Sequence, residues 1–262
     1  MKRLAVQPKK SLGQHWLTDI EALEAIAEHA EIKPSDTVLE IGPGLGTLTR
    51  YLVHQASHVI AIEFDEQLAK RLPKKLLAKN LSVVQADIRK FDLTQLPSRY
   101  KVVANIPYYL TSNLLKTLCE SSNSPSMMVL LVQQEVAERI CAVPGDMSLL
   151  AISVQLYYQC KLGISVSADK FEPVPKVDSQ VVVLTKHAKP TFPSLDTKQF
   201  FKIVKAGFGE KRKKLRSSLA GGLNISKPEV EARLKSTGVS GELRAQELSL
   251  KDWYKLYKIF SD

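Results

Sequence analysis

The segment KVVA runs directly into Asn105-Ile106-Pro107-Tyr108, four residues of the types that can handle an aromatic amine. An amine such as adenine's is a poor nucleophile, because its lone pair is delocalised into the ring. The side-chain carbonyl of Asn105 and the backbone carbonyl of Ile106 can accept its two hydrogens and draw the nitrogen toward tetrahedral geometry. That frees the lone pair for in-line attack on a sulfonium methyl. Pro107 removes a backbone donor and stiffens the turn. Tyr108 can stack on the face of the base, a contact worth roughly 1 to 3 kcal/mol. The competing reading is a plain β-turn with a core tyrosine. A second aromatic, Phe171 in FEPVPKVDS, precedes two prolines that can hold it rigidly as the opposite wall of a base pocket; a buried core phenylalanine is the alternative.

A partner for that chemistry is written upstream. VLEIGPGLGTLTRYL has the pattern of a strand, then Gly42, Gly44 and Gly46, then a helix. Glycines at such a turn let backbone approach a ligand closely. The GxGxG spacing is not that of a dinucleotide site, and the Lys-Ser/Thr pair of a phosphate loop is missing. Tight packing alone would also explain the glycines. Glu63, about 20 residues on, ends the next strand, where a carboxylate can accept hydrogen bonds from both ribose hydroxyls. Asp87 ends the third strand and can accept from an adenine amine. A ligand with adenosine but no pyrophosphate fits this set, and S-adenosylmethionine is the candidate.

These turns meet only if the strands lie in one parallel sheet covered by helices, and the hydrophobic pattern predicts that arrangement. Asp19 or Thr18 caps a helix with an expected apolar stripe of Ile20, Leu23, Ile26, Ala27 and Ala30. Strands are expected at 37–41, 58–63, 82–86, 101–105 and 127–132, with helices through Leu52, from Asp65, from Thr111 to Ser121 and from Gln133 to Cys141. Residues 148–160 fit strand or helix, and the spacing of Leu149, Ile152, Leu156 and Cys160 favours helix. The runs 162–168 and 179–185 are joined by too short a loop for a crossover, so they read as an antiparallel hairpin. Two prolines in HAKPTFPSLD place a boundary there. The expected domains are therefore a ligand-binding domain over 1–186 and a helical one over 187–262.

The charge is unevenly placed. Residues 1–185 carry 20 Lys and Arg against 19 Asp and Glu, whereas 186–262 carry 17 against 8, and Lys2, Arg3, Lys9 and Lys10 precede the first acid. Basic ends around a neutral middle point to a polyanion held by the extremities, although solvated lysine faces would look the same. Lys211, Arg212, Lys213, Lys214 and Arg216 are the densest cluster, suited to phosphates. No apolar run approaches the ~18 residues of a membrane span and the N-terminus lacks a signal core, so a cytoplasmic protein is expected. Three scattered cysteines and five scattered histidines offer neither a disulfide framework nor a metal site, and nothing calls for an obligate partner, so a monomer is expected.

Taken in order, SLGQHWLTD, LEIGPGLGTLT, AIEFDEQL, VVQADI, ANIPYYLTS and FEPVPKVDS resemble the successive motifs of the ribosomal RNA adenine dimethyltransferase family over essentially the whole chain. The resemblance implies an α/β class I S-adenosylmethionine-dependent methyltransferase fold, with a Rossmann-like sheet and a small all-α C-terminal domain. It implies dimethylation of two adjacent adenosines in the 3′-terminal hairpin of small-subunit ribosomal RNA, within a partly assembled particle. Cofactor contacts carry over onto His15, Leu17, Gly42, Gly44, Glu63, Asp87 and Asn105. The family often has Asn-Phe where this chain has His15-Trp16, and CAVPGDMSLLAIS is shorter than the family's stretch. Two other readings share these motifs: an RNA-binding assembly checkpoint without catalysis, and the large-subunit enzymes of macrolide resistance. GFGEKRKKLRSSL resembles the C-terminal signature of the enzymes that act on the small subunit, and it favours the first implication.

Overall fold

The computed structural model describes residues 7–9 and 12–261. Chain order runs β1 (Trp16–Leu17), α1 (Ile20–His29), β2 (Thr37–Ile41), α2 (Thr49–Gln55), β3 (His58–Glu63), α3 (Glu66–Leu76), β4 (Leu81–Gln85), β5 (Lys101–Asn105), α4 (Thr111–Glu120) and β6 (Met127–Gln133). It continues through α5 (Gln134–Ile140), α6 (Leu149–Gln155), β7 (Tyr158–Val166), β8 (Phe171–Glu172) and β9 (Ser179–Lys186) to α7 (Thr197–Phe208), α8 (Leu215–Leu223), α9 (Lys227–Lys235) and α10 (Leu250–Phe260).

Seven strands form one sheet in the order β4-β3-β2-β5-β6-β9-β7. The first five are parallel, and β9 joins β6 antiparallel. Val38, Leu39, Val102, Val103 and Val129 are fully buried, as strands covered on both faces require. From β2 the chain winds outward through β3 and β4, then returns to place β5 on the other side of β2. This reversal opens a crevice beyond the C-terminal ends of β2 and β5, the place where open α/β sheets bind ligands. The two turns singled out in the sequence both start there.

Helix starts follow local chemistry. Asp19 caps α1 by accepting from Ala22 N, and Asp65 caps α3 by accepting from Gln67 N and Leu68 N. Leu23, Ile26, Ala27 and Ala30 are buried as the stripe predicts, but Ile20, the first residue of the helix, is exposed. Residues 148–160 split: Ser148 caps a helix that ends at Gln155, and Cys160 lies on β7.

The chain divides into two compact units, residues 1–138 with 159–186, and residues 139–158 with 187–262. The second unit thus takes in a segment expected in the first. Its reason is visible in the packing: Met147, Ala151, Ile152 and Leu156 share a core with Phe200, Leu219 and Trp253. The apolar residues of 187–262 alone are few for a core, and this segment supplies the remainder.

Candidate active site

The crevice is an open cleft whose walls come from four strand ends and from residues 12–16. Gly42 and Gly44 have φ of +67° and +56°, a backbone that residues with a Cβ rarely adopt. A Cβ on Gly42 would meet nothing closer than Pro107 Cδ at 3.9 Å, so this glycine leaves room for a ligand against the backbone. A Cβ on Gly44 would lie 3.0 Å from Trp16 Nε1, so here the close approach is to an indole.

Glu63, the last residue of β3, is held from both sides. Its Oε2 accepts from Gly44 N at 3.1 Å and its Oε1 from Asp65 N at 2.8 Å. Burial pushes this carboxyl above its usual range, and those N–H groups oppose the rise. Asp87 follows β4. The Arg89 guanidinium grips both its oxygens, from Nε at 2.9 and 3.1 Å and from Nη2 at 2.6 Å, and holds the carboxyl below the usual range. Asn105 ends β5, and its Nδ2 donates to the His15 carbonyl at 3.2 Å. The amide's Oδ1 is then the end left to accept a proton donor. Tyr108 is half-buried, and its hydroxyl shares a 2.8 Å hydrogen bond with Ser179 Oγ.

His15, Gly42, Gly44, Glu63, Asp87, Asn105 and Tyr108 all line this cleft. Leu17 and Phe171 do not. They are register partners in the antiparallel β1–β8 pair, and both side chains are buried in the core with Leu23, Ile26 and Val103. The expected base wall at Phe171 is therefore, in this structure, a core phenylalanine. Leu17 instead faces a small cavity behind the glycine turn, shared with Trp16, Glu40 and Asn105.

Other residues of the site were missed. Trp16, Phe64, Arg89 and Tyr109 line the cleft, and Phe64 and Tyr109 are more than half exposed. Adjacency to His15, Glu63, Asp87 and Tyr108 was the only available signal. Glu40 is 1% exposed, and its Oε2 finds no hydrogen-bond partner, nor does Thr49 Oγ1. Burial, reinforced by the nearby Glu63 charge, pushes the Glu40 carboxyl up to about 8.

The basic ends are less uniform than the sequence suggests. Lys2, Arg3 and Lys10 lie outside the described residues, while Lys9 pairs with Asp65 at 2.7 Å. In the helical unit Lys213 pairs with Glu210 at 2.5 Å, Lys214 with Glu242, and Arg216 with Glu242 at 2.5 Å and Glu231 at 3.1 Å. Lys211 and Arg212 are exposed, and among the described residues they form no ion pair. The first N–H groups of α8 are also taken, by the carbonyls of Leu243 and Gly241, so an anion here would meet side chains and not a free helix end. His54 and His58 lie on different elements, bonded to Arg50 O and Ser82 Oγ. No helix among the described residues is long and apolar enough to cross a membrane.

The adenosine-type donor set fits this site: an open glycine cradle, an anchored carboxylate at β3 and an oriented carboxylate after β4 stand along one sheet edge. Comparison with known proteins agrees. The family model for ribosomal RNA adenine dimethylase matches residues 5–262. A protein of Dehalococcoides mccartyi named ribosomal RNA small subunit methyltransferase A is 38% identical over 266 residues, covering 100% of this chain and 91% of its own. A protein of the same name from Desulfitobacterium hafniense is 40% identical over 248 residues, covering 93% and 89%. Among solved structures, a dimethyladenosine transferase from Plasmodium falciparum superposes with a TM-score of 0.81 at 29% identity, covering 92% of this chain and 96% of its own. The 23S rRNA methyltransferase ErmE gives 0.78 at 29%, covering 94% and 100%.

Proposed function

Because the chain belongs to the ribosomal RNA adenine dimethylase family, and is an S-adenosylmethionine-dependent rRNA adenine dimethyltransferase, we propose how its own residues perform that reaction and on which RNA. S-adenosylmethionine supplies an electrophilic methyl group on a sulfonium. Glu63 would hold its ribose and Asp87 its adenine amine, with Gly42 providing open backbone against its amino-acid portion and Gly44 holding the Glu63 carboxylate in place.

The observation that carries the reading is the Asn105–His15 hydrogen bond. It commits the amide's donor end, so Oδ1 is fixed as the acceptor for one hydrogen of the target amine. The carbonyl of Ile106 accepts the other, and the ring of Tyr108, tethered through Ser179, supports the base. These groups act by position and by hydrogen bonding, and no strong general base is required because the sulfonium leaves as a neutral thioether. The target nucleotide leaves its stack to enter the cleft, at a cost of about a few kcal/mol that is lowest in a loop.

The substrate proposed is a pair of adjacent adenosines in the 3′-terminal hairpin of small-subunit rRNA, within a partly assembled particle in the cytoplasm, approached by a monomer. The names of the relatives at 38–40% identity support the small subunit over the large one. The test is labelled-methyl transfer to small subunits that lack the modification, with the methylated positions mapped. Wild type should label two adjacent adenines of that hairpin, and Asn105→Ala should lower the rate by about a hundredfold. Equal labelling by both would remove Asn105 from the mechanism, and no labelling of small subunits together with labelling of large subunits offered in a parallel assay would overturn the substrate.

A further inference from the structure

By count residues 1–185 are nearly neutral, but their charge is not evenly spread. Residues 41–62 carry one Arg, Arg50, and no acid; residues 67–86 carry Lys70, Arg71, Lys74, Lys75 and Lys79, and again no acid. The fold brings part of this set together. Arg50 N donates to the Gly46 carbonyl at 3.3 Å, so Arg50 stands one turn beyond the glycine loop. Gly46 in turn faces α3, where a Cβ on it would lie 2.4 Å from Leu72 Cδ1 and 3.4 Å from Leu76 Cδ1. Lys75 Nζ, from the same stretch of α3, donates to the Leu45 carbonyl at 2.6 Å. Arg71 lies one turn before Lys75, on the same side of that helix. We infer that Arg50, Arg71 and Lys75 form a seat for the phosphodiester backbone of the substrate RNA, beside the glycine loop that lines the cleft.

What this group lacks is an acid. All three side chains are exposed. Arg50 and Lys75 form no ion pair among the described residues: the Arg50 guanidinium lies over the Tyr51 ring, 5.5 Å from its centroid, and the Lys75 ammonium has a neutral carbonyl as its partner. Lys70, on the same helix, is by contrast paired with Glu66. Partial burial and the charges of Arg50 and Arg71 hold the Lys75 ammonium below its usual range. An incoming anion relieves repulsion of this kind. The helix dipole favours cations at the last turn of α3, where Lys74 and Lys75 lie, but it does not favour Arg50 in the first turn of α2.

The observations favour a strand of nucleic acid as the anion. Exposed side chains from two helices make a surface, which suits a polyanion running along the protein. S-adenosylmethionine carries no phosphate, so its binding gives these cations no task. The strand is already at hand: the target adenine enters a cleft lined by Gly44, the neighbour of Leu45, and the phosphates that flank it must pass the rim.

This inference rests on the RNA substrate proposed above, and its test keeps the two apart. Arg50→Gln combined with Arg71→Gln removes two charges and leaves Lys75 on the glycine loop. Filter binding of naked small-subunit RNA at several salt concentrations should show affinity lowered by about threefold to tenfold, and the slope of log affinity against log salt reduced by about 1 to 2. Arg50→Lys combined with Arg71→Lys keeps the charges and should stay within about twofold of wild type, with the same slope. Lys70→Gln removes a charge that Glu66 already offsets and should also stay within about twofold. Calorimetric binding of S-adenosylmethionine should change by less than about twofold in all three. Affinity and slope unchanged in the Gln pair would overturn the inference, as would an equal loss in Lys70→Gln or in the Lys pair, or a parallel loss of S-adenosylmethionine affinity. Weaker binding to assembled particles with unchanged binding to naked RNA would assign the surface to an acidic protein and overturn it too. Failure of the underlying reading looks different: wild type would bind RNA and yet transfer no methyl group to small subunits.

Discussion

The guanidinium of Arg89 and the carboxylate of Asp87 form a forked pair two residues apart, with Asp87 nearly covered and Arg89 half exposed. A local, solvated pair of this kind contributes little to folding. The fork fixes the plane of the carboxylate proposed to accept an adenine amine. Arg89→Ala should leave thermal stability almost unchanged and weaken S-adenosylmethionine binding by about threefold to tenfold. Asp87→Ala should weaken it by tenfold or more. Calorimetric titration of both variants checks the order; unchanged affinity in Asp87→Ala would detach this carboxylate from the cofactor.

Glu40 predicts a pH signature. Its carboxyl titrates near 4.5 in an unfolded chain and is pushed up to about 8 in the folded one by burial. The folded state therefore holds the proton more tightly, and this group's contribution to stability is complete below pH 4.5 and is lost as pH rises through 8. Glu40→Gln, neutral at every pH, should remove that loss. Relative to wild type the variant should gain stability between about pH 5 and 8, by on the order of a few kcal/mol. Melting curves of both proteins across this range measure it, and parallel curves would mean that Glu40 is ionised in the fold.

Lys211 and Arg212 are the cations of the C-terminal cluster left without an acid among the described residues, so they should carry most of its attraction for phosphate. Changing both to Gln should weaken RNA binding across sequences and reduce the slope of log affinity against log salt by about 1 to 2. Lys213→Gln, which removes a charge already paired with Glu210, should have a smaller effect. Filter binding at several salt concentrations distinguishes them. Equal slopes for all variants would reduce the cluster to a solvated turn.

Two neighbouring glycines of α8 should respond with opposite signs. A Cβ on Gly222 would lie 2.5 Å from Ala206 Cα, a backbone atom that cannot step aside, so Gly222→Ala should cost about 1 to 3 kcal/mol. A Cβ on Gly221 meets only Glu210 Oε1 at 3.5 Å, so Gly221→Ala should gain up to about 1 kcal/mol from helix propensity. Thermal melts of the two variants decide the matter.

What could be read in the sequence was whatever a single strand and its next turn encode. Glu63, Asp87 and Asn105 were legible because a parallel sheet delivers the ends of its strands to one edge whatever packs elsewhere. Phe171 and Leu17 were not, because their burial depends on a pairing across about 150 residues that no local pattern records. The capping at Asp19 and Asp65 was local and readable, whereas the exposure of Ile20 at the start of α1 depended on tertiary packing that the stripe does not encode. Arg89 looked like any exposed cation. The spacing over 148–160 pointed to one helix, but only 149–155 is helical and Cys160 lies on β7, because periodicity marks an apolar face without saying where a helix ends or which core will receive it.

The sharing of Met147, Ile152 and Leu156 with the C-terminal core has a temporal corollary. During vectorial synthesis those side chains emerge well before Phe200 and Trp253 exist, and must wait while β7, β8 and β9 are made. A single cut after residue 186 would strand them in the wrong fragment. The C-terminal unit is consequently not a cassette that a gene fusion could append or delete at one junction; its two segments are joined in the chain by residues 159–186 of the first unit.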